Sequence, residues 1–454
     1  MFFMTKSTSA PLSSNFVKHC FAGKVVTSKK KPKTTTFTLV RTFCHHHPWL
    51  TFLQIVILGF AGVGAVFLAV LVAVKMRWTN VNGDIDQYDQ DFHTIQAKSP
   101  ISSRRVLGAA TSSAQITPNL NILPTATVSA LVQAQQKLSD LSQQVSAQTE
   151  LIEQQKQTLC ALSLLVTNYP DNVKNILTKY KQNPYSPILT KMIFAVTTSL
   201  DFDQTNWQQQ VTACQENFDA NQINEETLTA QSQTDTTNAF VWQDQERWPI
   251  LQEAILKDKD IIIQAAQLAD ADPRLIVACL AGEQLRLFNS QRELFKPFFS
   301  PMKILANSDT ISLGTMGIKP DTGKQIESHL QDKNSPYYLG EKYAHLLDFK
   351  SNDHEGERYA RFTDDDNQFY SYLYAALYLE QFKTQWRQSG YPIDDRLEIV
   401  TTLYNVGFPQ SEPNADPQVG GSTITLEGKT YSFGRLAYEF YYSGALADDF
   451  PLKI

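Results

Sequence analysis

Cysteine is scarce in this sequence, with five residues among 454. Cys20 and Cys44 lie near the N-terminus, and Cys160, Cys214 and Cys279 are spread over the later part of the chain. Thiols this few and this scattered argue against a disulfide framework and a zinc site. A single bridge between Cys160 and Cys214 is compatible with an oxidising compartment. Cys279 lies in an apolar run and is predicted to be a small buried hydrophobic residue.

Charged side chains are absent from residues 51–74, where Gln54 is the only strongly polar residue. As an α-helix, these 24 residues would measure about 36 Å, enough to cross a hydrocarbon core of about 30 Å. A cleaved signal peptide would have a shorter apolar segment much closer to the N-terminus. We therefore predict one transmembrane helix at residues 49–76, in contact with membrane lipid.

Acidic residues are absent from residues 1–48, which carry eight lysines and arginines. Positive flanks of membrane helices remain on the cytoplasmic side. The sequence thus predicts a basic cytoplasmic tail at 1–48 and a single-pass protein of the cytoplasmic (inner) membrane, with its C-terminal part extracytoplasmic or periplasmic. Removing these eight charges from the formal net charge of −6 leaves −14 for residues 49–454. This acidic balance argues against nucleic-acid binding.

Apolar residues recur every seven positions over residues 127–167, after a polar, proline-containing segment at 77–126 that is predicted to be a linker. The repeat predicts a long helix, which either forms a homodimeric coiled coil or packs against its own chain. Glutamines at two core-type positions weaken the case for a tight dimer. One series is Leu131, Leu138, Val145, Ile152, Leu159 and Val166, and the other is Ala134, Leu141, Gln148, Gln155 and Leu162.

The remaining sequence predicts a mainly α fold with one small β-hairpin. Residues 168–235 contain short amphipathic segments and the beginning of a Gln/Asn/Thr-rich stretch, and they are predicted to be a helical spacer and linker. Residues 236–454 are predicted to form a helical domain long enough to bury its own core. Its predicted helices are 250–269, 273–288, 369–388 and 396–404, and its predicted hairpin is 422–433.

Glu283 directly follows the apolar segment at 275–282 and lies on the same predicted helix. Burial disfavours the charged form of a carboxyl group, and a protonated carboxyl group near neutral pH can act as a general acid on a glycosidic oxygen. Taken alone, an acid at a helix end is more often paired with a neighbour, here Arg286, or turned to solvent.

Two later motifs strengthen the prediction that Glu283 has a functional role. Residues 312–320 read Ser-Leu-Gly-Thr-Met-Gly-Ile-Lys-Pro, and residues 403–407 read Leu-Tyr-Asn-Val-Gly. Together with Glu283, they resemble the lytic transglycosylase family of goose-type lysozyme-like domains over roughly residues 265–410. In that family a glutamate closing an apolar helix precedes a serine, a Gly-Leu-Met-Gln-Ile-like segment and an Ala-Tyr-Asn-Ala-Gly-like motif.

The resemblance implies a lysozyme-like domain that cleaves peptidoglycan glycan strands. It implies Glu283 as the catalytic acid and base, with Ser312, Gly314, Met316, Tyr404 and Asn405 lining the substrate subsite. No cofactor and no metal ion is implied, because one glutamate performs both proton transfers.

The sequence also departs from the family pattern. Gln284 stands where serine is usual, Gly317 stands where glutamine is usual, and residues 289–309 are an apparent insertion. Such changes are compatible with an altered substrate or a loss of activity. The alternative to an enzyme is therefore a catalytically inactive glycan-binding or scaffold protein of a cell-envelope assembly.

Overall fold

The computed structural model describes residues 89, 92, 96, 125–233, 237–288, 313–364 and 366–453. The predicted tail at 1–48 and the predicted transmembrane helix at 49–76 lie outside these residues. Within the described part of the chain, no helix combines the length and the apolar character that crossing a bilayer requires.

The described residues are mainly helical, with one two-stranded antiparallel sheet. The first helices are α1 (Thr125–Leu165), α2 (Pro170–Gln182), α3 (Pro187–Ser199), α4 (Gln204–Glu216) and α5 (Glu225–Gln231). They are followed by α6 (Trp248–Lys257), α7 (Lys259–Ala269), α8 (Pro273–Phe288), α9 (Pro320–Gln331), α10 (His354–Thr363), α11 (Phe369–Gln388) and α12 (Leu397–Val406). The chain then forms β1 (Thr423–Leu426), β2 (Lys429–Ser432) and α13 (Phe433–Tyr442).

The long helix that the seven-residue repeat predicts is confirmed as α1. Its C-terminal end is buried, with Leu162 and Leu165 in the hydrophobic core. A disulfide between Cys160 and Cys214 joins this end to α4, and Cys279 is a buried free thiol. The sequence left the Cys160–Cys214 bridge open, and the structure contains it; the predicted burial of Cys279 is confirmed.

The segment at 168–235 differs from the predicted spacer, because its helices share one hydrophobic core with residues 236–454. Phe194 of α3 lies edge-on to Tyr438 of α13, with ring centroids 5.8 Å apart. The contacts of Thr79–Ile454 form a single compact unit. The boundary at residue 235 is therefore not a domain boundary, since both sides bury apolar surface on each other.

Part of the predicted linker at 77–126 belongs to the same core. Phe92 is fully buried, and its ring contacts both Phe194 and Tyr438. An aromatic side chain buried in this way anchors its segment on the helical unit. The linker prediction is wrong at this position, because it rested on polar composition and took no account of one apolar anchor.

The predicted helix at 250–269 is two helices, α6 and α7, which meet at Asp258. The Asp258 carboxylate accepts a hydrogen bond of 2.7 Å from the hydroxyl of Tyr372 on α11. The apolar periodicity continues across this junction, so the periodicity alone does not indicate a break.

The predicted hairpin is confirmed as β1 and β2, which pair from Thr423 with Ser432 to Leu426 with Lys429. Glu427 and Gly428 both have positive φ, as a two-residue hairpin turn requires. Helix α13 begins directly after β2, and this short connection brings Phe433 next to the candidate site.

Candidate functional site

Helix α8 carries Glu283 into the interior. The helix begins after Asp272, whose carboxylate accepts a hydrogen bond of 2.9 Å from the backbone N–H of Arg274. An apolar run then buries all sides of the helix, and Glu283 is left only 3% exposed. A carboxyl group at such a depth needs polar partners, because burial removes its hydration.

Two polar side chains contact the Glu283 carboxyl group. Arg286, one turn further along α8, forms an ion pair with Oε2. The side-chain amide of Asn405 lies 3.4 Å from Oε1. Each carboxyl oxygen therefore has a neighbouring donor.

A tight turn at residues 313–318 packs over Glu283. Its ends are held together by a hydrogen bond of 3.0 Å from the backbone N–H of Leu313 to the carbonyl oxygen of Ile318. The Gln284 side chain donates a hydrogen bond of 2.7 Å to the carbonyl oxygen of Thr315 in the same turn. Gln284, which stands where the resembled family has serine, therefore connects this turn to α8 by a hydrogen bond.

Gly317 is the point of closest approach between the turn and Glu283. Its φ of +65° is a conformation that favours glycine, and a Cβ atom added to it would lie 2.7 Å from Glu283 Oε2. A glutamine side chain, usual here in the resembled family, has no room in this backbone arrangement. Glycine lets the main chain approach the carboxyl group directly.

We expect Gly317→Ala to lower the free energy of unfolding by more than Gly428→Ala. Gly428 also has a positive φ but has no atom within 4 Å of an added Cβ, so it measures the backbone penalty alone, about 1–2 kcal/mol. The additional loss at Gly317 would come from displacing the Glu283 carboxyl group. Urea denaturation of the two full-length variants measures the difference, and equal losses would contradict the close approach.

Helix α12 supplies Tyr404 and Asn405. The Tyr404 hydroxyl donates a hydrogen bond of 2.6 Å to the carbonyl oxygen of Met316, and its ring stacks on Phe433 at a centroid distance of 6.4 Å. Burial raises the pKa of Tyr404 well above its usual range, so its hydroxyl remains a donor. The Asn405 side-chain oxygen accepts a hydrogen bond of 2.7 Å from the backbone N–H of Ser422. This second contact orients the Asn405 amide nitrogen towards Glu283.

Of the residues that the sequence singled out, Asn405 contacts the Glu283 carboxyl group, and Tyr404 is hydrogen-bonded to Met316 in the turn that packs over it. The backbone at Gly314, with a φ of +67°, helps to form the turn. Met316 and Tyr404 are buried side chains that hold the turn against α12. Ser312 lies outside the described residues, as does the apparent insertion at 289–309.

Three features of the site were not foreseen from the sequence: the approach of Gly317, the stacking of Phe433 and the contact from Ser422. Each joins segments distant along the chain, and no local pattern marks them. Among the residues with described positions, no group of three or more His, Cys, Asp or Glu side chains is arranged to hold a metal ion.

Comparisons with protein-family models, with curated proteins and with solved structures gave no match.

Proposed function

We propose that this chain is a membrane-anchored lytic transglycosylase that cleaves the glycosidic bond between N-acetylmuramic acid and N-acetylglucosamine in peptidoglycan. One observation carries the proposal. The buried carboxyl group of Glu283 is contacted by Gly317 and by Asn405, which come from the two segments that resemble family motifs. Two short motifs that are distant in sequence would not be expected to contact the carboxyl group of the third motif by chance.

The proposed reaction needs one residue that first gives and then takes a proton. Protonated Glu283 donates its proton to O4 of the N-acetylglucosamine leaving group while the bond from C1 of N-acetylmuramic acid to O4 breaks. The substrate's own N-acetyl oxygen stabilises the charge developing at C1. The Glu283 carboxylate then removes the proton of the 6-hydroxyl group, whose oxygen bonds to C1. The products are a free 4-hydroxyl end and a 1,6-anhydro end, and no water is consumed.

Arg286 affects the first step of the proposed reaction through its ion pair with Glu283. Its ion pair occupies Oε2, whereas the first step requires a carboxyl oxygen that can reach the glycosidic oxygen. The Arg286 side chain is partly exposed in the last turns of α8, whereas Glu283 is buried. In the proposed cycle, an arriving glycan strand displaces Arg286 from Oε2 and leaves the carboxyl group free to reach the glycosidic oxygen.

The product identifies the reaction. The purified full-length chain is incubated with isolated sacculi, and the soluble fraction is analysed by mass spectrometry. We expect muropeptides with 1,6-anhydro ends. Release of ends that have gained water would indicate a hydrolytic lysozyme instead, and no release of soluble fragments would contradict catalysis.

A second function, that of a non-catalytic glycan-binding or scaffold protein in a cell-envelope assembly, is favoured by the same ion pair. Arg286 and Gly317 both lie against Glu283 Oε2, so the carboxyl group is covered in this arrangement. This function predicts that the chain sediments with sacculi without releasing fragments.

A further inference from the structure

The N-terminal part of α1 carries an apolar stripe that its own described chain does not cover. Leu138 is 68% exposed, Leu141 and Val145 are each 58% exposed, and Ile152 is 45% exposed. The same seven-residue series then continues into Leu159, which is buried in the core. The stripe therefore changes along one helix from an exposed surface to an internal contact.

The seven-residue period indicates what kind of partner fits this surface. Such a period keeps an apolar seam aligned with another α-helix over several turns, whereas a flat or irregular partner does not require it. In the first series, Val145 and Ile152 are β-branched, and Leu141 belongs to the second series. This combination favours two parallel strands over three or four.

Gln148 indicates which helix can pair with this surface. It belongs to the second series and is exposed on α1. At the seam of a helix pair, its side chain needs a polar group at the same level. A second copy in parallel register supplies another Gln148, and an amide offers both a donor and an acceptor. A polar core residue of this kind fixes the register at some expense in stability.

Charge does not oppose self-association. Of the flanking residues Gln135, Lys137, Ser142, Gln144 and Thr149, only Lys137 is charged. In a parallel, in-register pair it would face Ser142 of the other copy rather than a second lysine.

We propose that residues 134–155 form a parallel, in-register, two-stranded coiled coil with a second copy of this chain. The pairing ends where Leu159 and the Cys160–Cys214 disulfide bind α1 to its own helical unit. Parallel register places both helical units at the same end of the coiled coil. The proposal is independent of catalysis at Glu283.

Disulfide trapping tests the register. In full-length chains with Cys20 and Cys44 replaced by serine, one new cysteine is introduced by Leu138→Cys, Val145→Cys or Ile152→Cys. Mild oxidation is expected to give covalent dimers with all three variants. The matched control, Gln143→Cys, lies on the opposite face of the helix and should give several-fold less. If only Val145→Cys gave covalent dimers, the helices would be antiparallel and the proposed parallel pairing would be wrong. If none of the three variants gave more dimer than the control, the proposal would be overturned.

The molar mass of the full-length chain in mild detergent gives a second, independent measurement. We expect the unaltered chain to be a dimer and the Leu138→Asp, Val145→Asp double variant to be a monomer. Gln136→Asp with Gln143→Asp adds the same charge on the opposite face and should leave the dimer intact. Because these side chains are exposed, neither change is expected to unfold the helical unit. A monomeric or higher-order unaltered chain would overturn the proposal.

Discussion

Replacing Glu283 with glutamine is expected to lower the release of anhydro-muropeptides from sacculi by about 100- to 10,000-fold, the range that general acid–base catalysis supplies. Glutamine has nearly the same volume and keeps a polar contact with Asn405, but it can neither donate the proton to O4 nor remove it from the 6-hydroxyl group. Both steps of the proposed cycle therefore fail. The measurement is the initial rate of soluble product formation, followed by mass spectrometry.

The matched control is Glu253→Gln, the same chemical change at an exposed position on α6. It should retain the rate of the unaltered chain. Thermal unfolding of both variants separates a chemical loss from a structural one, because Glu283→Gln also removes the ion pair with Arg286. A correctly folded Glu283→Gln variant with an unchanged rate would rule out the acid–base role, whereas an inactive unaltered chain would support the scaffold function.

The sequence predicted helices well where periodicity and boundary signals agreed. Helix α8 begins at Pro273 after a capping aspartate, and α11 has the predicted bounds, Phe369–Gln388. Prediction was wrong where two helices share one continuous apolar period, as α6 and α7 do. At the junction, Asp258 accepts a hydrogen bond from Tyr372, a residue distant in sequence.

Polar composition was a poor guide to domain boundaries. The Gln/Asn/Thr-rich stretch at 222–238 read as a linker, yet it contains α5. A capping box at Asn224 and Thr227 starts this helix, and Leu228 anchors it in the core. Side chains that cap a helix are polar by necessity, so composition alone confuses a helix start with a flexible segment.

In the candidate site, too, the sequence predicted local motifs but not the packing between distant segments. The order of three motifs was enough to select Glu283, Met316 and Tyr404, because each motif is local. Their packing was not predictable, since the close approach of Gly317 depends on how the turn lies over α8. At Gly317 the departure from the family pattern fits the approach of the backbone to Oε2 of the carboxyl group.

Removing the disulfide by Cys160→Ser with Cys214→Ser is expected to lower the free energy of unfolding by about 2–4 kcal/mol. The bridge spans 54 residues, and its loss frees the unfolded chain to explore many more conformations. It also joins the buried end of α1 to α4, while residues 133–146 and 148–153 of α1 are exposed and add little internal packing. Urea denaturation, followed by tryptophan fluorescence, measures the change.

Reductant provides the control for this prediction. In chains with Cys20 and Cys44 replaced by serine, reducing the disulfide should lower the free energy of unfolding by a similar amount, and the further Cys160→Ser, Cys214→Ser variant should not respond, because its remaining Cys279 is buried and unpaired. A stable bridge in protein isolated without added oxidant would also agree with the predicted topology, since disulfides persist outside the cytoplasm. Identical denaturation curves with and without reductant would contradict the bridge.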